Sequence, residues 1–321
     1  MSERASGPSA QRPAQRRPSA GEEQRCEPYV LAVDFGGTKA GLAAVDRNGA
    51  VLASERLAMH ADRGAEQALV RTIEAARALV TDAGAGELLA SGVASPGIVL
   101  PDGVLLAPNV PGWATVRLQA RFEEALGVPA VCATDVKAAT LAEARWGRLR
   151  DVHTGIHLNL GTGIAVGVVV EGTVLTGAHG AAGEIGYYLR SPADRVGPHE
   201  GFAPLEEHVG GRAIGERGRA VGGDGDAASV FALARADPAA RAFVDATVAD
   251  LAVHIANTAI LVDPQRITVG GGMAEVADVL LPAIAEVLDR AVPFPPQLVT
   301  ARFTQDGPLV GAAALAWDAL R

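Results

Sequence analysis

Cysteine is nearly absent from this chain. Two occur in 321 residues, Cys26 and Cys132, too few and too far apart for the clustered pairs of a disulfide scaffold or a zinc knuckle. Aromatic residues make up only 4%, so the core has to be built from aliphatic side chains. Positive charge is in deficit: 28 Lys and Arg against 37 Asp and Glu leave a net charge of −9, which removes the broad basic face that nucleic-acid binding requires. No secretory apolar region opens the chain, and no apolar run approaches bilayer-spanning length. These absences point to a cytoplasmic setting and a small-molecule partner, with no nucleic acid and no membrane. What is present, 49% hydrophobic and 20% charged residues, describes an ordinary globular chain with length for two domains or one large one. Residues 1–28, with Arg4, Arg12, Arg16, Arg17 and Arg25 among prolines, are expected to form a solvated, disordered tail.

Ordered sequence is expected from Tyr29. A strand through Asp34, a glycine turn, a strand over 40–45, the hairpin signal Asp46-Arg47-Asn48-Gly49 and a strand over 51–57 read as an antiparallel meander. Helical periodicity follows between Gly64 and Gly84, then a strand near 88–94. Proline and glycine over 95–113 predict an ordered loop. A helix over 115–126, a strand over 129–134 and a helix over 136–146 come next. The pattern strand, glycine turn, strand then recurs, with strands over 153–160 and 164–170 around Gly161-Thr162-Gly163, a weak internal repeat of architecture. Residues 210–225 read as a surface loop. Helices are expected over 229–236, 239–261, 276–290 and 309–320, with strands over 266–269 and near Leu298.

Asp34-Phe35-Gly36-Gly37-Thr38-Lys39 sets a carboxylate at a strand end beside small residues whose N–H groups can approach an anion. It reads as a phosphate turn or a plain tight turn. Gly161-Thr162-Gly163 and Gly270-Gly271-Gly272 repeat the arrangement, and the three together suggest a nucleotide held between two lobes. Asp135, at a strand-to-helix junction, is either an N-cap or a general base that orients a hydroxyl for phosphoryl transfer. Lys137 either lowers the pKa of that carboxyl or faces solvent. Glu184 and the pair Glu206-Glu207 are grips for sugar hydroxyls or exposed acids at helix ends. His153 and His157 are assigned no metal.

Together these segments resemble the ROK family of bacterial glucokinase-like sugar kinases and sugar-responsive repressors, over Tyr29 to Leu320. The matching segments are Asp34 to Lys39, Asn159 to Ile164, Val262 to Gly272, Pro108 to Trp113 and Ala182 to Gly186. The resemblance implies a duplicated actin-like, RNase H-like α/β fold of two lobes around a central cleft, divided as 29–134 and 135–321, with the last helix free to pack back on the first lobe. It implies ATP and Mg²⁺, with phosphates at Asp34, Gly36, Gly37, Thr38, Lys39, Gly161, Thr162, Gly163, Gly270, Gly271 and Gly272. It places the sugar on Gly97, Asn109, Thr134, Asp135, Glu184, Tyr187 and Glu206, with Asp135 as base, and makes a homodimer the expected assembly. The tail before Tyr29 leaves no room for the helix-turn-helix domain of the repressors, so a kinase of a hexose primary hydroxyl is expected.

Two departures bear on substrate. Thr134 stands where the family usually has Asn. Tyr187, Gly197, His199 and Pro204 stand where it has the histidine and three cysteines of a structural zinc site, so no zinc is expected and Tyr187, Tyr188 and Phe202 are expected to order the loop instead. A kinase of a modified sugar, such as kanosamine, another amino sugar or a C7-cyclitol, is the alternative. A non-catalytic sugar sensor is the reading from another class.

Overall fold

The computed structural model describes residues 27–60, 63–82, 86–107 and 112–321; nearly all of the expected tail, with Cys26, and also Asn109 lie outside the described residues. Strands β1 (Tyr29–Phe35), β2 (Lys39–Asp46) and β3 (Val51–Ala58) form the expected meander. Asp46 makes its second turn, because one carboxylate oxygen accepts from both Asn48 and Ala50 N–H at 2.8 Å. Helix α1 (Ala65–Asp82) leads to β4 (Leu88–Ser95), which runs parallel to β1. A short hairpin, β5 (Ile98–Leu100) and β6 (Gly103–Leu105), lies within the proline- and glycine-rich stretch. Helix α2 (Leu118–Leu126) and strand β7 (Ala130–Thr134) complete the first sheet, ordered β3-β2-β1-β4-β7.

Helix α3 (Asp135–Trp146) joins this sheet to a second. There β8 (Thr154–Leu160), β9 (Ile164–Val170) and β10 (Thr173–Val174) form another meander, its second turn made by Glu171 and Gly172 at φ 50° and 75°. Helices α4 (Glu206–Val209), α5 (Gly211–Gly218), α6 (Ala227–Leu233) and α7 (Pro238–Val262) follow. Strand β11 (Arg266–Gly270), helix α8 (Ala277–Ala291), strand β12 (Gln297–Thr300) and helix α9 (Gly307–Asp318) end the described chain. The second sheet is ordered β10-β9-β8-β11-β12. Each sheet is three antiparallel strands followed by two parallel ones, so the repeated glycine turns mark a duplicated α/β topology.

The first sheet buries Leu31, Val33 and Leu42 under Leu69 of α1 and Phe122 of α2. Its other face, Val30, Ala32, Ala43, Val45 and Ala90, is covered by Ala312, Ala313, Ala316 and Trp317 of α9. The second sheet packs Ile156, Leu158 and Val166 with Leu251 and Ile255 of α7 and Leu280 and Ile284 of α8. Helix α3 touches both halves closely: a Cβ on Gly311 of α9 would fall 1.8 Å from Ala138 O, and one on Gly167 of β9 would fall 1.8 Å from Thr140 Oγ1.

Three expectations need correction. Residues 211–218 form α5 rather than loop, burying Ala213 and Ile214; its glycines permit contact, since a Cβ on Gly215 would meet Gly225 O at 2.4 Å. Helix α2 begins at Leu118, because Gly112 in a left-handed conformation opens a separate 3-10 turn over Trp113–Thr115. Helix α7, 25 residues with mean hydropathy 1.3 in its most apolar window, is long and apolar enough to span a membrane by length and composition. Its Val244, Val248, Leu251 and Ile255 are buried in the second core.

Candidate active site

The C-terminal ends of the parallel strands in both sheets carry the singled-out residues, the edge at which open α/β sheets bind ligands. Asp34 lies near the end of β1, Asp135 follows β7, Gly161 follows β8 and Gly270 ends β11. In the first glycine turn, Gly36 N–H donates to Lys39 O at 2.9 Å, and Gly37, Thr38 and Lys39 are exposed. In the second, Gly161 N–H donates to Gly163 O, while Gly161 O and Thr162 O accept from Gly211 and Arg212 N–H. That docks the turn on the start of α5. In the third, Gly271 has φ 84° and a Cβ would fall 2.3 Å from Leu160 O, so only glycine lets the ends of β8 and β11 come this close.

The second and third turns meet at a cavity of about 580 Å³ lined by Asn159, Gly161, Thr162, Gly271 and Gly272 on one side and Arg212, Asp226, Ala227, Phe231, Met273 and Val276 on the other. Gly163, Gly270 and the first turn are not in its lining. On the second wall, Arg212 escaped the sequence reading because residues 210–225 read as loop, and Asp226 and Ala227 because the following helix is expected only from 229. The missed signal is Asp226, whose side chain accepts from Ser229 N–H at 2.8 Å and caps α6.

The carboxylates converge. Asp135 is the first residue of α3, not its cap: Thr134 Oγ1 accepts from Lys137 N–H at 3.3 Å and caps the helix, while Asp135 Oδ1 accepts from Val136 N–H at 2.7 Å. Burial raises the pKa of Asp135, Glu206 adds to the rise, and the Val136 N–H and Lys137 oppose it. Glu184 is pushed up to about 7 by burial, with Asp135 and Glu206 adding and Lys137 opposing. Burial and Asp135 raise Asp34 to about 7, against Arg56 on β3. Tyr187 joins the same group, its phenol pushed up by burial and by Glu184 and Glu206. Glu206 Oε2 accepts from Ile164 N–H at 3.0 Å, and a Cβ on Gly163 would fall 2.1 Å from that oxygen, so Gly163 makes room for a carboxylate.

Lys137 does not face solvent. Its side chain is 5% exposed, with Glu184 Oε1 4.0 Å from Nζ. Gly97, at φ 82°, turns the chain from β4 into the β5–β6 hairpin. His157 is buried against Thr268 Oγ1 at 3.0 Å, and burial lowers its pKa to about 4.

The segment after Glu184 is ordered differently from expectation. Phe202 is exposed, and among the described residues the aromatic partner of Tyr188 is His254, at 5.9 Å between ring centroids. Polar contacts fasten the segment instead: Asp250 of α7 accepts from Arg190 at 3.2 Å and pairs with His208 of α4 at 2.8 Å. Asp194 accepts from Arg190 and Ser191 N–H.

The raised pKa of Asp34 has a consequence for stability. Its unfolded form ionises near 3.8 and its folded form near 7, so the folded state holds the proton longer and loses stability as pH rises through that window. Asp34→Asn is therefore expected to be more stable than the native chain by about 1 kcal/mol or more at pH 8, the gain shrinking towards pH 5. Urea unfolding at the two pH values checks this, and a pH-independent difference would refute it.

The sequence profile of the ROK family matches residues 30–319. The chain is 32% identical over 302 residues to the bifunctional enzyme NanE/NanK of Brucella melitensis, covering 89% of this chain and 54% of that protein; it thus spans about half the length of that relative. It is 30% identical over 294 residues to the N-acetylmannosamine kinase of Salmonella heidelberg, covering 89% of this chain and 98% of that one. The crystal structure of a ROK family glucokinase from Streptomyces griseus, in complex with glucose and AMPPNP, superposes with a TM-score of 0.76 at 26% identity, covering 90% of this chain and 99% of that one. With a duplicated α/β fold, glycine turns at the sheet ends and buried acids between them, the chain belongs to the ROK family.

Proposed function

We propose that the chain transfers the γ-phosphoryl group of ATP to the primary hydroxyl of a hexose or hexose derivative. The observation that carries this reading is Asp135, a carboxylate held at the start of α3 between Glu184, Glu206 and Asp34. An alcohol is a weak nucleophile, and a buried carboxylate with a raised pKa can orient it and take its proton as the phosphoryl group moves. Glu184, Glu206 and Tyr187 grip further hydroxyls, and Gly97, Thr134 and Asn109 complete the sugar side. The nucleotide takes the cavity beside Gly161, Thr162, Gly271 and Gly272, its phosphates directed toward the turn over 34–39, with Gly163 and Gly270 shaping the approach.

The described residues hold no group of three or more His, Cys, Asp or Glu able to cage a metal. Mg²⁺ dehydrates reluctantly and is bound mainly by phosphates and water, so one carboxylate beside the phosphates suffices; Asp34, near the end of β1 beside the glycine turn, is the carboxylate that would face its water shell. When bound, the ion offsets charge on the phosphates. The chain's own part is to exclude water between the lobes, since a wet site would hydrolyse ATP.

The glucokinase and N-acetylmannosamine kinase relatives support a hexose or hexosamine as substrate, and Thr134 favours a modified sugar as the second reading. Its oxygen accepts from both the N–H and the Nζ of Lys137, which leaves only the hydroxyl proton for a ligand. The test is ADP release from Mg-ATP with glucose, mannose, N-acetylmannosamine, glucosamine, kanosamine and a C7-cyclitol. Selective turnover of one of them is expected; ATP binding without sugar-dependent ADP release would replace the kinase reading with a sensor.

A further inference from the structure

A buried lysine loses rotamer freedom and hydration, so it persists where acceptors hold it. Lys137 has three neighbours of that kind. Its Nζ donates to Gly180 O at 2.9 Å and to Thr134 Oγ1 at 3.4 Å, and stands 4.0 Å from Glu184 Oε1. These neighbours belong to different parts of the site: Thr134 precedes Asp135, while Gly180 and Glu184 belong to the strap over 176–184.

The strap is fastened to the second sheet at its ends, where Val166 N–H donates to Gly183 O at 2.9 Å and Leu175 N–H, just before it, donates to Val168 O at 2.8 Å. Among the described residues its tip makes no such ladder. Gly180, at φ 71°, lies against the first-lobe hairpin, where a Cβ would stand 3.3 Å from Ile98 Cγ2. Lys137 is the side chain that bonds this tip to the helix carrying the base.

We infer that Lys137 is a positioning residue that joins the Glu184 strap to the start of α3, so that Asp135 and Glu184 meet the substrate as one preformed unit. The inference rests on the kinase reading for its catalytic consequence but not for its structural one. Lys137 acts through these neighbours, and its single positive charge faces Glu184 and Asp135 together. Its loss frees the strap tip and misplaces one sugar-gripping carboxylate relative to the base, while the nucleotide cavity, whose lining excludes Lys137, is left intact.

The test uses the full chain with Lys137→Met, which keeps an unbranched apolar stem of similar size, and Lys137→Arg, which keeps the charge and the donors. Lys137→Met is expected to lose about a hundredfold in kcat/KM for the sugar, the scale of a small misplacement of reacting groups. The KM for ATP should stay within about twofold, and Lys137→Arg should recover at least about tenfold of the loss. Amide hydrogen exchange should quicken over 177–187 in the Met variant and stay unchanged over 29–60. A Met variant within about threefold of native in kcat/KM, or a KM for ATP that rises in step with that for the sugar, overturns the inference. Should the native chain show no sugar-dependent ADP release, the kinase reading fails by itself. Exchange then decides: faster exchange over 177–187 in Lys137→Met supports the tie, and unchanged exchange overturns it.

Discussion

Asp135→Asn is expected to lower sugar-dependent ADP release by about a thousandfold or more, near the upper range for removing a general base. The amide has nearly the shape of the carboxylate, and its oxygen can still accept the 2.7 Å bond from Val136 N–H. Helix α3 therefore keeps its first turn, and Thr134 still caps it. The substitution also removes a charge that burial and Glu206 disfavour, so the variant should melt no lower than native. Steady-state kinetics beside a thermal melt separate the two effects. Retention of more than about a tenth of the native kcat would take the base role from Asp135, and a drop in both activity and melting temperature would mean that the residue is structural.

Gly311→Ala and Gly92→Ala should each cost about 3 kcal/mol or more, the upper range for overpacking, because backbone rather than a movable side chain stands in the way. A Cβ on Gly311 would lie 1.8 Å from Ala138 O and 2.1 Å from Ala138 C; one on Gly92 would lie 1.8 Å from Ala312 O. The first pushes α9 off α3 and the second pushes it off β4. Both displace the same helix, so the double variant should cost less than the sum. Gly197→Ala, where the nearest atom to an added Cβ is Glu200 Oε2 at 4.0 Å, should change stability by less than about 0.5 kcal/mol. Urea midpoints decide it: native-like midpoints for both Gly311→Ala and Gly92→Ala would mean that α9 is loosely seated.

Local chemistry made much of the fold legible. The meanders show because their strands alternate with turn residues whose geometry is intrinsic, as at Asp46 to Gly49 and Glu171-Gly172. Asp135 could be placed at a strand end because Ala130–Thr134 carries no charge or turn residue up to that point. Helix α5 was hidden because its glycines serve contacts with Gly161 and Gly225, partners that local glycine propensity does not register. Lys137 was ambiguous for a similar reason: its acceptor at Gly180 lies 43 positions away. The Arg190, Asp250 and His208 cluster likewise joins three separate segments, and no short pattern encodes it.

The place of α9 bears on how the chain is made. The second core draws on residues between Ile156 and Leu298, so it can close as soon as that stretch has left the ribosome. The first sheet begins earlier and finishes later. One of its faces is covered by residues up to Ala130, but the other waits for Ala312 to Trp317, and the bond from Trp317 Nε1 to Asp46 O spans 271 positions. Long loop closure of this kind slows folding. During synthesis the half that starts first therefore carries a bare strip of alanine and valine while the half that starts second completes itself. Until α9 arrives, that strip is the apolar surface the growing chain leaves uncovered.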